Sequence, residues 1–121
     1  MDETAGAQGG HVCYSHKSQS TFGNINLELA REIQPRLNKF FNKVRSISER
    51  PELTVLGGHS PSVGLPAMTM PYPAILCECG FYENEKDLEL IENDSTRTKL
   101  ANEICDGVIA ILSKHNRLPR M

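Results

Sequence analysis

The chain has 121 residues, 39% hydrophobic and 23% charged, enough apolar material to order one compact domain and too short for a second. Its formal charge of -2 lacks the basic excess of a nucleic-acid binder, whose affinity rests on neutralising phosphates. No segment approaches the ~20 apolar residues of a bilayer span. The polar start, Met1 to Gly10, has no signal-peptide pattern, so the chain is expected to be cytoplasmic as made.

Residues 1–10 are rich in Gly and Ala and are expected to form a flexible N-terminus. His11–Ser15 reads as a short strand, with Val12 and Tyr14 on one face and Cys13 on the other. A helix is predicted from Asn24 or Asn26, either of which is a suitable N-cap. Its apolar stripe is Ala30, Ile33, Leu37, Phe40 and Val44, at steps of three and four. Pro35 inside that run is expected to kink or split the helix. From Ser46 to Met70, repeated Pro and Gly exclude long helices, and Leu53–Leu56 is a strand candidate.

Pro73–Gly80 is an apolar run interrupted only by Glu78, which predicts a strand buried on both faces. Asn84 is expected to cap a short helix through Ile91. Asp94 or Ser95 would cap a last helix with Leu100, Ile104, Val108 and Ile111 on one face. The order strand–helix–loop–strand–helix–helix predicts an α/β structure, with a mixed or mostly parallel sheet flanked by helices over a single domain, 1–121.

Glu78 stands out chemically. A carboxylate near the end of a buried strand costs several kcal/mol unless a metal, a partner or a proton compensates it. In open α/β sheets, sites gather at the carboxyl ends of strands. The four cysteines, Cys13, Cys77, Cys79 and Cys105, form no Cys-x-x-Cys pair, and reduced thiols are expected. Cys77 and Cys79 flank Glu78 but point away from its face, as small apolar residues of a tight sheet would. His11 and Cys13 face the same side of their strand, and His59 lies in a Gly-Gly-His-Ser-Pro turn. These three are the candidates for metal ligands, although lone histidines at such spacings are ordinarily surface or hydrogen-bonded residues. His16 would face the opposite side, and His115 is expected to be solvated and favourable to a helix dipole.

The segment from Pro73 to Asp87 closely resembles the C-terminal signature of the zinc-dependent N-acetylmuramoyl-L-alanine amidases, through Pro73, Ala74, Glu78, Gly80, Phe81, Asn84 and Asp87. Thr98 to Ile109 is similar to that family's closing helix, Gly9 to Tyr14 to its strand after the last zinc histidine, and Leu29 to Leu37 to the helix that follows. The resemblance implies a sheet with helices on both faces, a zinc ion at the strand ends, and hydrolysis of the amide between N-acetylmuramic acid and L-alanine in peptidoglycan. It also implies that Glu78 is the catalytic carboxylate.

In that family the zinc ligands are a histidine in an early Gly-His-Gly loop, a glutamate opening the first helix, and a histidine ending a central strand. All precede the segment matched here. The resemblance thus implies a partial domain that carries the carboxylate without the matching ligands, so Zn2+ is expected for the family and not for this chain alone. The alternative is a truncated, non-catalytic fragment, or a partner protein, that binds an amidase or peptidoglycan without cutting it. A sheet edge left open invites pairing, and the expected partners are the missing N-terminal segment or a second copy. Action at the cell wall would require release.

Overall fold

The computed structural model describes residues 7–16, 21–53, 56 and 72–117. Among the described residues three strands and three helices follow in the order β1 (Gly10–Tyr14), α1 (Gly23–Asn38), β2 (Ser48–Glu49), β3 (Ile75–Cys79), α2 (Glu85–Glu92) and α3 (Asp94–Lys114). The sheet order is β2-β1-β3. β1 is parallel to β2 and antiparallel to β3, which makes the expected mixed sheet.

Strand alternation sorts the side chains. Val12, Tyr14, Ile75, Cys77 and Cys79 face the helices, while His11, Cys13 and Glu78 gather on the other side. α1 lays Leu29, Ala30, Ile33 and Leu37 on the first of these faces. Ile33 and Leu37 are fully buried, and each contributes roughly 1.5–3 kcal/mol. α3 stacks on α1 through Leu100, Ile104, Val108 and Ile111, the predicted stripe. Gly107 permits that approach, because a Cβ there would stand 2.9 Å from Ile33 Cγ1.

Several expectations are corrected. β3 is an edge strand, and all five of its residues are part-exposed, because it pairs with β1 alone among the described residues. Among the described residues, α1 packs on one face of the sheet, with α3 stacked on α1 and α2 against α3. The strand beside β1 is Ser48–Glu49; Leu53 lies outside any strand, and Thr54 and Val55 fall outside the described residues. Of the N-terminus, residues 1–6 are likewise not described, and Gly10 already belongs to β1.

α1 runs unsplit through Pro35 but stops at Asn38 instead of reaching Val44, which is 72% exposed. The Asn38 side chain explains the stop. Its amide accepts from Arg45 N at 3.0 Å and donates to Arg45 O at 3.0 Å, which turns the chain back. Neither Asn24 nor Asn26 caps the start, since Phe22 holds the N-cap position without a side-chain bond. Asn26 is instead wholly buried, donating to Ser15 O and accepting from Ala74 N, so that it ties the end of β1 to the approach of β3. Asn84 caps α2 as expected, and Asn93, one residue before the predicted cap, receives Thr96 N for α3.

β2 is too short to cover the start of β1, and Gln34 takes its place. Its Oε1 accepts from Val12 N at 2.8 Å and its Nε2 donates to Gly10 O at 2.9 Å. One helix side chain thus satisfies two backbone groups that a longer neighbouring strand would otherwise pair. Gln34→Ala is expected to cost about 2–3 kcal/mol by leaving both groups buried and unmatched. Urea unfolding would show this as a lower midpoint at unchanged m-value. A loss below about 0.5 kcal/mol would mean that water replaces the amide.

Candidate active site

The β1–β3 register places His11 directly opposite Glu78, and Cys13 lies one diagonal step away on the same face. Three distances define the group. Cys13 Sγ donates to Glu78 Oε1 at 3.3 Å, Cys13 Sγ lies 3.9 Å from His11 Nδ1, and His11 Nδ1 lies 3.7 Å from Glu78 Oε1. On its far side the imidazole meets Ser48 through Nε2 and Oγ at 2.8 Å. His11 and Cys13 are buried, whereas the Glu78 side chain keeps 23% of its surface exposed. It is therefore half-buried at a sheet edge, and not enclosed as the apolar run implies.

Glu78 opens into a cleft of about 830 Å³, lined also by Arg45, Arg50, Leu53, Leu76 and Phe81. Arg45 packs its guanidinium on the Phe81 ring, 5.4 Å from the centroid, and donates to Gln8 O. Arg50 pairs with Glu52. A separate apolar pocket among Phe40, Phe41, Leu90, Ile91, Leu100 and Ile104 lies on the helix side and presents no carboxylate or imidazole.

Burial holds His11 below its ordinary pKa, helped by Arg45 and Arg50 and opposed by Glu78. The imidazole is therefore neutral at neutral pH, so its contact with Glu78 is not a true ion pair. Burial and the hydrogen bond to Glu78 push the Cys13 thiol up to about 11, and burial pushes Cys77 up to about 12. Only the thiolate is nucleophilic, so at pH 8 Cys13 stands almost wholly as the unreactive thiol. Iodoacetamide at pH 8 is expected to label exposed Cys105 first and to leave Cys13 and Cys77 largely unmodified until urea is added. Peptide mass spectrometry over time checks the order, and early labelling of Cys13 would contradict this picture.

Of the sequence candidates, the fold brings together Glu78, His11 and Cys13. His59 lies outside the described residues. His16 bonds Asn24 at 2.8 Å, away from the site, and His115 pairs with Glu28 instead of being simply solvated. Cys77 and Cys79 point to the helix side, as expected. Ser48, Arg45 and Arg50 are members of the site that the sequence does not announce, because only the parallel pairing of β2 carries their loop to β1.

The β3–α2 turn completes the frame. Gly80 takes φ +99°, where a Cβ would also stand 2.9 Å from Ile91 Cδ1. Asp87 is wholly buried and binds both Phe81 N (3.0 Å) and Gly9 N (2.8 Å), which holds the turn after Glu78 to the start of β1.

A carboxylate opening into a cleft of a mixed sheet backed by helices is an arrangement of α/β enzymes. The family model for N-acetylmuramoyl-L-alanine amidase (Amidase_3) matches residues 1–110, and the chain belongs to that family of hydrolases. Among solved structures it is similar to the N-acetylmuramoyl-L-alanine amidase of Clostridium difficile 630 (TM-score 0.69, 28% identity, 93% of this chain and 53% of that one). It is also similar to the CwlD amidase of Clostridioides difficile, solved with the GerS lipoprotein (TM-score 0.69, 24% identity, 93% and 50%). A third is the amidase Ami1 of Mycobacterium smegmatis (TM-score 0.65, 21% identity, 88% and 48%). The chain thus spans about half the length of these amidases. No curated protein matches it. No helix among the described residues is long and apolar enough to cross a membrane.

Proposed function

We propose that the protein to which this chain belongs is a peptidoglycan hydrolase. It cleaves the amide between N-acetylmuramic acid and the L-alanine of the stem peptide, and Glu78 is its catalytic carboxylate. The observation that carries this reading is the position of Glu78, in a chain of the amidase family, at the carboxyl end of β3 and open to the cleft. In this role Glu78 takes a proton from the attacking water and passes it to the departing alanine amine. The Gly80–Phe81 peptide, just after Glu78, is tied to Gly9 by the Asp87 clamp, which limits how far the carboxylate can drift from a productive geometry. The substrate places this activity at the cell wall.

The family is generally zinc-dependent, and zinc supplies such enzymes with a polarised carbonyl and an acidified water. The donors found here do not reproduce the two-histidine, one-glutamate set that the family resemblance implies. They offer one imidazole and a thiol, and their only carboxylate is the group assigned to the reaction. These three residues therefore do not form the family's catalytic zinc site, and the catalytic ion would be held by the part of the domain by which the relatives exceed this chain.

Digesting purified peptidoglycan with the whole protein tests the reading. The expected products are new L-alanine amino termini without new reducing sugar ends. Reducing ends alone would show a glycosidase. Binding with neither product would favour the non-catalytic alternative.

A further inference from the structure

We propose that His11, Cys13 and Glu78 form a binding site for one thiophilic divalent cation, with Zn2+ as the natural occupant, distinct from the ligand set that the family resemblance implies. In a tetrahedral site with bonds of ~2.0–2.3 Å, neighbouring ligand atoms stand about 3.3–3.8 Å apart. The three separations here are 3.3, 3.7 and 3.9 Å, close to one triangular face of such a tetrahedron. An ion above that face would lie within reach of all three donors, and the cleft lined by His11 and Glu78 gives it access to water.

The donor chemistry selects the ion. Imidazole nitrogen with sulfur suits zinc and cobalt, whereas magnesium and calcium require oxygen. Thiolate and carboxylate together carry two negative charges, which match a divalent cation, and the Cys13 proton leaves to solvent as the ion enters.

The surroundings supply an independent indication. His11 Nε2 is bonded to Ser48 Oγ at 2.8 Å. With the proton on Nε2 donated to that oxygen, the lone pair of Nδ1 is turned towards Cys13 and Glu78. A second hydrogen bond that fixes the tautomer of a ligating imidazole is a regular feature of metal sites. Rigidity adds to this, since all three donors stand on paired strands with a register that allows no slip without turning them to the opposite face.

One consequence rests on the amidase reading. A cation on this site engages Glu78 and withdraws it from proton transfer, so zinc above the catalytic requirement is expected to inhibit.

The test of the site itself needs no activity. The reduced, metal-free 121-residue chain is titrated with Co2+. The expected result is one cobalt per chain, with a thiolate-to-cobalt charge-transfer band that Zn2+ abolishes on displacement. Cys13→Ser should remove the band, and His11→Gln and Glu78→Gln should each weaken cobalt binding at least about tenfold. Cys105→Ser should change nothing. Absence of the band, or its survival in Cys13→Ser, overturns the proposal, as does its loss in Cys105→Ser, which would reveal adventitious binding at the exposed thiol. Cys13 is fully buried and its replacement could disturb folding, so Glu78, whose side chain is 23% exposed, provides a second decision. Unchanged cobalt affinity in a Glu78→Gln chain with native circular dichroism also overturns it.

Discussion

Glu78→Gln in the whole protein is expected to lower kcat/KM for muramoyl-peptide hydrolysis by about 10²–10⁴-fold, the usual contribution of a positioned general acid–base. The substitution keeps the shape of the side chain and an oxygen that can still accept from Cys13 Sγ. What it removes is the charge and the capacity to take up a proton. The side chain is 23% exposed and its imidazole neighbour is neutral, so no buried ion pair is broken. Stability should therefore move by less than about 0.5 kcal/mol. That contrast is the point of the experiment: a large kinetic loss with an unmoved unfolding midpoint assigns Glu78 to chemistry. A variant retaining activity within a few-fold would remove Glu78 from the reaction and with it the mechanism proposed here.

Asp87→Ala should behave in the opposite way, losing stability first. Asp87 is fully buried in the first turn of α2, and its Oδ2 accepts from two backbone amides that are remote from each other in sequence, Gly9 N and Phe81 N. Alanine leaves both amides buried without an acceptor and opens a small cavity. Each unmatched group costs about 1–3 kcal/mol, so a total of about 3–5 kcal/mol is expected. For a domain with net stability of only about 5–15 kcal/mol, this is enough to lower the urea midpoint sharply. Asp87→Asn keeps one acceptor oxygen and should lose clearly less. Equal losses in the two variants would mean that charge, and not the two accepted hydrogen bonds, is what Asp87 contributes. A negligible loss in Asp87→Ala would show that the clamp between the β3–α2 turn and β1 carries no energy.

Much of the local structure was legible because it depends on short-range chemistry. The apolar steps of α1 and α3, the Asn84 cap and the strand ending at Gly80 follow from residues within one or two turns of each other. Glu78 was visible for a similar reason, as the one charge in an apolar run. The helix ends were less legible. Asn38 stops α1 by bonding Arg45, and Asn26 is drawn into the sheet instead of capping, since an amide side chain serves whichever partner the tertiary fold offers.

By itself, then, the sequence determined the three helices and the two longer strands, which residues share a strand face, and the amidase resemblance carried by the Glu78 segment, while the short Ser48–Glu49 strand was not legible in it. Only the tertiary structure decided what stands beside what. Periodicity reports the side to which a residue points and is silent on its neighbour. His11 meets Glu78 because β1 and β3 run antiparallel in one register, and Ser48 reaches the imidazole because β2 pairs with β1 in parallel. Among the described residues β3 pairs only with β1, and α1 and α3 stack over the face that carries Val12, Ile75 and Cys77, because burying the apolar stripe of α1 determines which surface of the sheet is covered. Register and facing are settled by the burial of the whole apolar surface at once, and no local stretch of sequence contains that information.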